Sequence, residues 1–397
     1  LLSETSSSPG AGVTLNNWQT PEQLAWSFQH IADILPTAVI SRAAAPTAPF
    51  ESAPAPVEDL PLVTVDGRFL TVREVMDWTY TDGWLVEHDG RLLAEHYPSG
   101  MAPGTRHLLM SVSKSLVSLV AGSLWGAGLL HPDAPVTAYV PQLAYSGYAG
   151  ATVRQLLDMR TGVRFSEEYT DPDAEVRQLE EAIGWKAWTH PGPRSMYEFL
   201  LGLQKVREHG GLFEYRSAET DVLGWICEAA GGARMPQLMS RLLWSRIGAE
   251  EDANIGVDST GTGMFDGGIS ASLRDMARVG RVVLGDGVSM TGARVTPAEW
   301  IHDTLTGAPD SRQVFADSPT DTRMPGGMYR NQFWIPREGS DVVLALGIHG
   351  QMIYVNRPAR VVAVKLSSWP VPQDAWMLLS TITAFDTIAA AVQEGRL

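Results

Sequence analysis

Ser111 and Lys114 stand three residues apart in the run His107-Leu108-Leu109-Met110-Ser111-Val112-Ser113-Lys114-Ser115-Leu116. From Leu116 to Leu130 the chain carries no charge and is rich in apolar residues, which predicts a buried helix too short to span a bilayer. On a helix, positions i and i+3 share a face, so the hydroxyl and the amine fall within hydrogen-bond reach. A serine hydroxyl is a weak nucleophile until an adjacent base takes its proton. Lysine serves as that base only when neutral, and burial against the helical part predicts an amine lowered toward that form. The expected chemistry is that of an activated serine nucleophile. By itself Ser111 reads more readily as a helix N-cap than as a nucleophile, and Lys114 could be a surface lysine. Only four lysines occur, Lys114, Lys186, Lys205 and Lys365, and one of them beside an apolar run favours the buried base.

Elements of both kinds must hold this pair. Trp84–Glu87 and Arg91–His96 flank His88-Asp89-Gly90, and Asp-Gly between strand-like runs predicts a hairpin. Thr152-Val153-Arg154-Gln155 reads as a capping box, with Gly162 as a helix stop. Residues 163–210 are rich in loop formers; Thr220–Ala230 and Met235–Ile247 are helix candidates. Gly261–Gly268 is a glycine-rich crossing, and Ser272-Leu273-Arg274-Asp275 reads as a second capping box. Val342–Ile348, Met352–Val355 and Arg360–Leu366 are short β-branched runs predicting antiparallel strands, and Gln373–Val392 is a closing helix. Residues 1–61, rich in Ser, Ala and Pro, read as an extended arm with one short helix near Pro21–Leu35. The order predicts an α/β (α+β) fold: an antiparallel sheet flanked by helices, built from residues 1–110 and 250–397, with an all-helical part, 111–249, inserted.

The 397 residues are 44% hydrophobic and carry a net charge of −15. That length supports a large core. The charge repels phosphate backbones and anionic bilayers, so neither nucleic acid nor a membrane is expected as a partner. Cys227 is the one cysteine, which excludes an internal disulfide and fits a reducing compartment. With no charged segment leading into an apolar one at the start, the expected location is the cytoplasm. There is no H-E-x-x-H, C-x-x-C, EF-hand loop, Walker loop or G-x-S-x-G elbow. Gly261-Thr262-Gly263 starts a dinucleotide fingerprint, but Asp266 stands where its third glycine belongs. No metal and no cofactor is expected.

Two further segments agree with the first. Tyr215-Arg216-Ser217 resembles the Y-x-N motif of class C β-lactamases and related esterases, and Leu346-Gly347-Ile348-His349-Gly350 lies where that superfamily places its third motif. Order and spacing resemble the serine β-lactamase-like fold. The likeness is closer to the nylon-oligomer (6-aminohexanoate-dimer) hydrolases. It is carried by His107–Leu116, Tyr169-Thr170-Asp171-Pro172, Tyr215–Trp225, Gly347–Gln351 and Lys365-Leu366-Ser367-Ser368-Trp369-Pro370. The resemblance implies Ser111 as nucleophile, Lys114 as its base and Tyr215 as donor to the leaving nitrogen. It also implies an oxyanion hole from the backbone N–H groups of Ser111 and Ile348. Tyr169 would bond the scissile amide, Glu180 would hold a terminal ammonium, and Trp334 would pack on the methylene chain. Ser217, Gly347, His349 and Asp266 complete the expected substrate pocket. Ser217 replaces asparagine, Glu219 a neutral amide, and Asp266 a histidine or asparagine. The implied activity is amide hydrolysis of linear 6-aminohexanoate oligomers with esterase activity on short acyl esters, by a homodimer. A plain carboxylesterase of the same fold is the first alternative. A β-lactamase or D-Ala-D-Ala peptidase is disfavoured, because none of the four lysines is followed by Thr-Gly or Ser-Gly.

Overall fold

The computed structural model describes residues 10–397; the first nine residues of the expected arm lie outside that range. In place of one helix over Pro21–Leu35 there are two short ones, α1 (Leu24–Ser27) and α2 (Ile31–Ile34). His30 separates them: its backbone leaves helical geometry at φ −140°, and its Nδ1 meets the Trp26 carbonyl at 2.7 Å. The rest of the arm contributes strands, β1 (Thr37–Ile40), β2 (Glu51–Ser52) and β3 (Pro61–Val63). Next come β4 (Phe69–Thr71) and α3 (Val72–Trp78), which starts from a complete Thr71/Glu74 capping box.

The hairpin β5 (Thr81–His88) and β6 (Arg91–His96) follows. Asp89 at φ 47° and Gly90 at φ 84° both adopt the positive φ that a two-residue type I′ turn requires. A short β7 (His107–Leu108) leads into α4 (Val112–Gly126). The helical stretch continues with α5 (Val153–Leu157), α6 (Glu175–Ala182), α7 (Met196–Leu201), α8 (Ser217–Gly231) and α9 (Met235–Met239). Residues 163–210, expected to be mostly loop, thus hold two helices. Gly162 is not a helix stop: α5 has ended at Leu157, and a Cβ on Gly162 would lie 1.9 Å from the Arg207 carbonyl, so it marks a close backbone crossing.

The remainder is β8 (Ala253–Gly256), β9 (Ile269–Ala271), α10 (Leu273–Leu284), α11 (Ala298–Thr306) and α12 (Ser311–Ala316). Then follow β10 (Met328–Arg330), β11 (Phe333–Ile335), β12 (Val342–Gly347), β13 (Gln351–Asn356), β14 (Val361–Ser367) and α13 (Ala375–Gln393). At α10 only half of the expected capping box forms. Ser272 accepts from the Asp275 N–H, but the Asp275 carboxylate turns to Arg278 and the N–H groups of Glu250 and Glu251.

An eight-stranded sheet runs β10-β11-β12-β13-β14-β5-β6-β2, antiparallel except for the β2–β6 edge. The two halves of the chain join in it where β14 pairs with β5. A four-stranded sheet runs β1-β8-β9-β7, so part of the arm is built into the body. Alternation along β14 divides the core between the faces of the large sheet. Val362 and Val364 pack toward α10, while Val361 and Ala363 share a cluster with Phe385 and Ile388 of α13. Helix α13 is long and apolar enough to cross a membrane, yet here it packs on α3, β3 and β13. Every residue of α4 from Val112 to Leu124 is buried, as a helix apolar on all sides demands.

Candidate active site

The Ser111–Lys114 pair sits where β7 turns into α4. Met110 makes the turn at φ 47°, a left-handed conformation that costs a non-glycine residue about 1–3 kcal/mol. Ser111 then occupies the N-cap position, but its hydroxyl caps nothing. Instead the Lys114 Nζ donates to Ser111 Oγ at 2.7 Å. Lys114 is 1% exposed and also donates to Ser217 Oγ at 3.1 Å and to the Asp266 carbonyl at 2.9 Å. An ammonium uses all three contacts. A neutral amine keeps the last two and turns its lone pair toward the Ser111 hydroxyl, so one geometry serves both forms.

The balance between those forms differs from the sequence expectation. Burial does pull the lysine down. The Tyr215 oxygen and the Asp266 and Glu167 carboxylates outweigh it and hold Lys114 above the ordinary lysine range. The resting proton therefore sits on Lys114.

Tyr215 lies just before α8, with its phenol beside Ser111 and Lys114. Its ring stacks on Trp334, centroids 5.3 Å apart, and its centroid is 5.1 Å from Lys114 Nζ. Burial raises the phenol above its ordinary value, against the pull of Lys114, so Tyr215 keeps a proton to donate. Tyr169 lies beside Glu167, and burial followed by the Glu167 charge pushes its phenol well up. Glu167 also accepts the Ser217 N–H.

Strand β12 passes close to the nucleophile turn. A Cβ on Gly347 would lie 2.5 Å from the Leu109 carbonyl and 3.0 Å from the Ser111 nitrogen, so only glycine permits the approach. Among the described residues neither the Ser111 nor the Ile348 N–H donates to a backbone carbonyl, which leaves both free for a ligand oxygen. Gly347→Ala is expected to push β12 outward and lower kcat about 100-fold, since a 1 Å misplacement costs that much. Steady-state kinetics beside a thermal melt check this; a folded variant with unchanged kcat would refute the role of the contact.

Ser111, Tyr169, Tyr215, Trp334, Gly347 and Ile348 line one cavity of about 850 Å³. The other expected pocket residues are not on its wall. Ser217 and Asp266 lie behind Lys114. The Glu180 carboxylate is taken by Arg177 at 2.7 Å and Gln19 at 3.2 Å, because a carboxylate 6% exposed must be paired. His349 is buried, with Nδ1 on the Trp369 carbonyl at 2.7 Å, and desolvation lowers it to about 4. It orders the loop after β12 as a neutral ring. Glu219, the other unexpected acid, forms a buried ion pair with Arg216 at 3.1 Å.

Three participants are new. Glu167 gave no periodic signal; its one mark was being two residues from Tyr169. Asp221, one helical turn after Ser217, backs Asp266 by accepting its N–H at 3.1 Å. Burial and then the Asp266 charge raise Asp221 well above the carboxylate range. Gln351 faces the same cavity from the start of β13.

The β-lactamase family model matches residues 71–379. A 6-aminohexanoate-dimer hydrolase of Paenarthrobacter ureafaciens is 40% identical over 92% of this chain and 91% of its own. A Bacillus anthracis protein described as a candidate 6-aminohexanoate-dimer hydrolase superposes with a TM-score of 0.87 at 25% identity, covering 98% of this chain and 99% of the other. A family VIII carboxylesterase shares the fold, with a TM-score of 0.58 at 14% identity over 79% of this chain and 96% of that one. With a serine–lysine pair at the head of a buried helix and these matches along most of its length, the chain belongs to the β-lactamase family, in the branch of the 6-aminohexanoate-dimer hydrolases.

Proposed function

We propose that the protein hydrolyses the amide bond of linear 6-aminohexanoate oligomers through an acyl-Ser111 intermediate, with esterase activity on short acyl esters. The observation that carries this is the 2.7 Å contact from Lys114 to a Ser111 hydroxyl that opens into the cavity. Deprotonated Lys114 accepts the Ser111 proton as Oγ attacks the carbonyl carbon. The oxyanion is held by the N–H groups of Ser111 and Ile348. Tyr215 protonates the leaving nitrogen, and water then hydrolyses the acyl-serine.

The cavity wall supports a cationic, partly aliphatic substrate. Tyr169 lines it beside Trp334, in reach of an amide and a methylene chain. Glu175 and Glu214 are matched by Arg164 and Arg207. Glu168, Asp171, Asp173 and Asp374 have no arginine partner among the described residues, against Arg323 alone. This acidic excess, rather than the occupied Glu180, would attract a terminal ammonium. The β-lactamase alternative needs a cation for the substrate carboxylate. Lys365, on β14, cannot supply it: it is wholly buried, bonded to the Thr79 carbonyl at 3.0 Å and to Ser367 Oγ.

The test is product formation from the linear 6-aminohexanoate dimer beside p-nitrophenyl acetate, for wild type and Ser111→Ala. Cleavage of both, each reduced about 10⁴- to 10⁶-fold in the variant, is expected. Ester cleavage alone would favour the carboxylesterase reading, and full activity in Ser111→Ala would overturn the mechanism.

A further inference from the structure

The loop that carries Ile348 is short and unusual. It joins β12 to β13 through Ile348, His349 and Gly350, and His349 and Gly350 sit at φ 61° and 95°. The ladder between β13 and β14 stops just short of it, with Met352 opposite Lys365 as its last pair. Beyond that point β14 bulges against β5 between Leu366 and Ser367. Backbone pairing therefore cannot tie the loop to β14.

A side chain does so instead. The Gln351 amide, 1% exposed, accepts the Ser367 N–H at 2.9 Å and donates to the Ser367 carbonyl at 2.8 Å. It thus pairs with Ser367 as a peptide unit of a neighbouring strand would. The same Nε2 donates to the Ile348 carbonyl at 3.2 Å. Three bonds from one amide connect β14 to the residue whose N–H faces the cavity.

We propose that Gln351 is a positioning residue: its amide clamps Ile348 against β14 and so holds the Ile348 N–H in the oxyanion hole. The inference rests on the acyl-Ser111 reading above. A hole is effective only when its donors are fixed before charge develops, so the clamp acts on the transition state and not on substrate binding. Among the described residues no other side chain bonds the Ile348 backbone: the His349 backbone bonds to Pro372 and Trp369, and the His349 ring to the Trp369 carbonyl, hold the loop one residue further on.

The experiment uses two full-length variants. Gln351→Leu removes every amide contact. Gln351→Glu keeps an acceptor for the Ser367 N–H and loses both donations. With p-nitrophenyl acetate, kcat is expected to fall about 10- to 100-fold in each, with KM within about twofold. Phenylboronic acid, which adds to the nucleophile as a tetrahedral anion, should lose affinity by the same factor as kcat/KM. Inhibition by 6-aminohexanoate should not move. If Gln351→Leu fails to fold, Gln351→Glu decides. Unchanged kcat in a folded variant, or KM and product inhibition moving in place of kcat, overturns the clamp alone. Absence of boronate inhibition in wild type together with an active Ser111→Ala overturns the acyl-enzyme reading and the clamp with it.

Discussion

Lys114→Met is expected to lower kcat about 10⁴-fold or more on ester and amide substrates alike, while the protein still folds. The methionine keeps the buried volume but offers Ser111 no group to take its proton. Attack would then require a free serine hydroxyl to ionise unaided. Lys114→Arg should fail to restore the rate, because a guanidinium does not deprotonate at any pH the fold survives. That result separates base catalysis from simple charge, since arginine supplies the same charge.

The pH profile of the wild type adds a second readout. Tyr215, Asp266 and Glu167 outweigh burial and hold Lys114 above its ordinary range, so the reactive neutral amine is the minor form at neutral pH. kcat/KM should accordingly keep rising into the alkaline range, to the limit of stability. A profile already flat from pH 6 upward would show that Lys114 is neutral at rest and would contradict the electrostatics described above.

Lys365→Met is expected to stabilise the protein near pH 7 and to change how stability depends on pH. Lys365 is buried without a carboxylate in contact, and desolvation lowers it from 10.5 to about 7. In the unfolded chain the amine holds its proton up to its ordinary value. Between about 7 and 10.5 the unfolded state thus binds the extra proton, and wild-type stability rises with pH across that window. Below about 7 the folded state carries the full cost of a buried ammonium, about 5 kcal/mol. Methionine removes the cost but leaves the Thr79 carbonyl and the Ser367 hydroxyl without their donor, at about 1–3 kcal/mol in all. The net gain should be about 2–4 kcal/mol near pH 7 and should vanish or reverse by about pH 10. Urea unfolding of both proteins at several pH values measures it. A difference independent of pH would mean that Lys365 does not titrate differently in the folded state.

Much of the framework was legible because its signals are local. The Asp89-Gly90 turn, the β-branched runs of β12 to β14 and the apolar stretch of α4 each contain their own cause within a few residues. The Ser111–Lys114 contact belongs to the same class, since helical periodicity alone places residues three apart on one face. Resemblance then added Tyr215 and the Ile348 strand. Errors appeared where a local signal met a distant partner. Gly162 resembles a helix stop, but its smallness serves a crossing with Arg207. Asp275 stands at a capping-box position, yet its carboxylate is claimed by Arg278 and the Glu250–Glu251 backbone.

Within the site the same division holds. The residue types and the helical spacing of the nucleophile and its lysine follow from the sequence by itself, because they depend on covalent neighbours. Which protonation state Lys114 adopts, which acids face the cavity and which are already paired depended on the tertiary structure. Glu167, Tyr215 and Asp266 reach Lys114 from segments 53 to 152 positions away in the chain. Glu180 is paired by Arg177 one turn before it, as helical spacing allows, but its burial is completed by Gln19, some 160 residues distant. Electrostatic energies depend on separation and burial in space, and no pattern of neighbours along the chain encodes either.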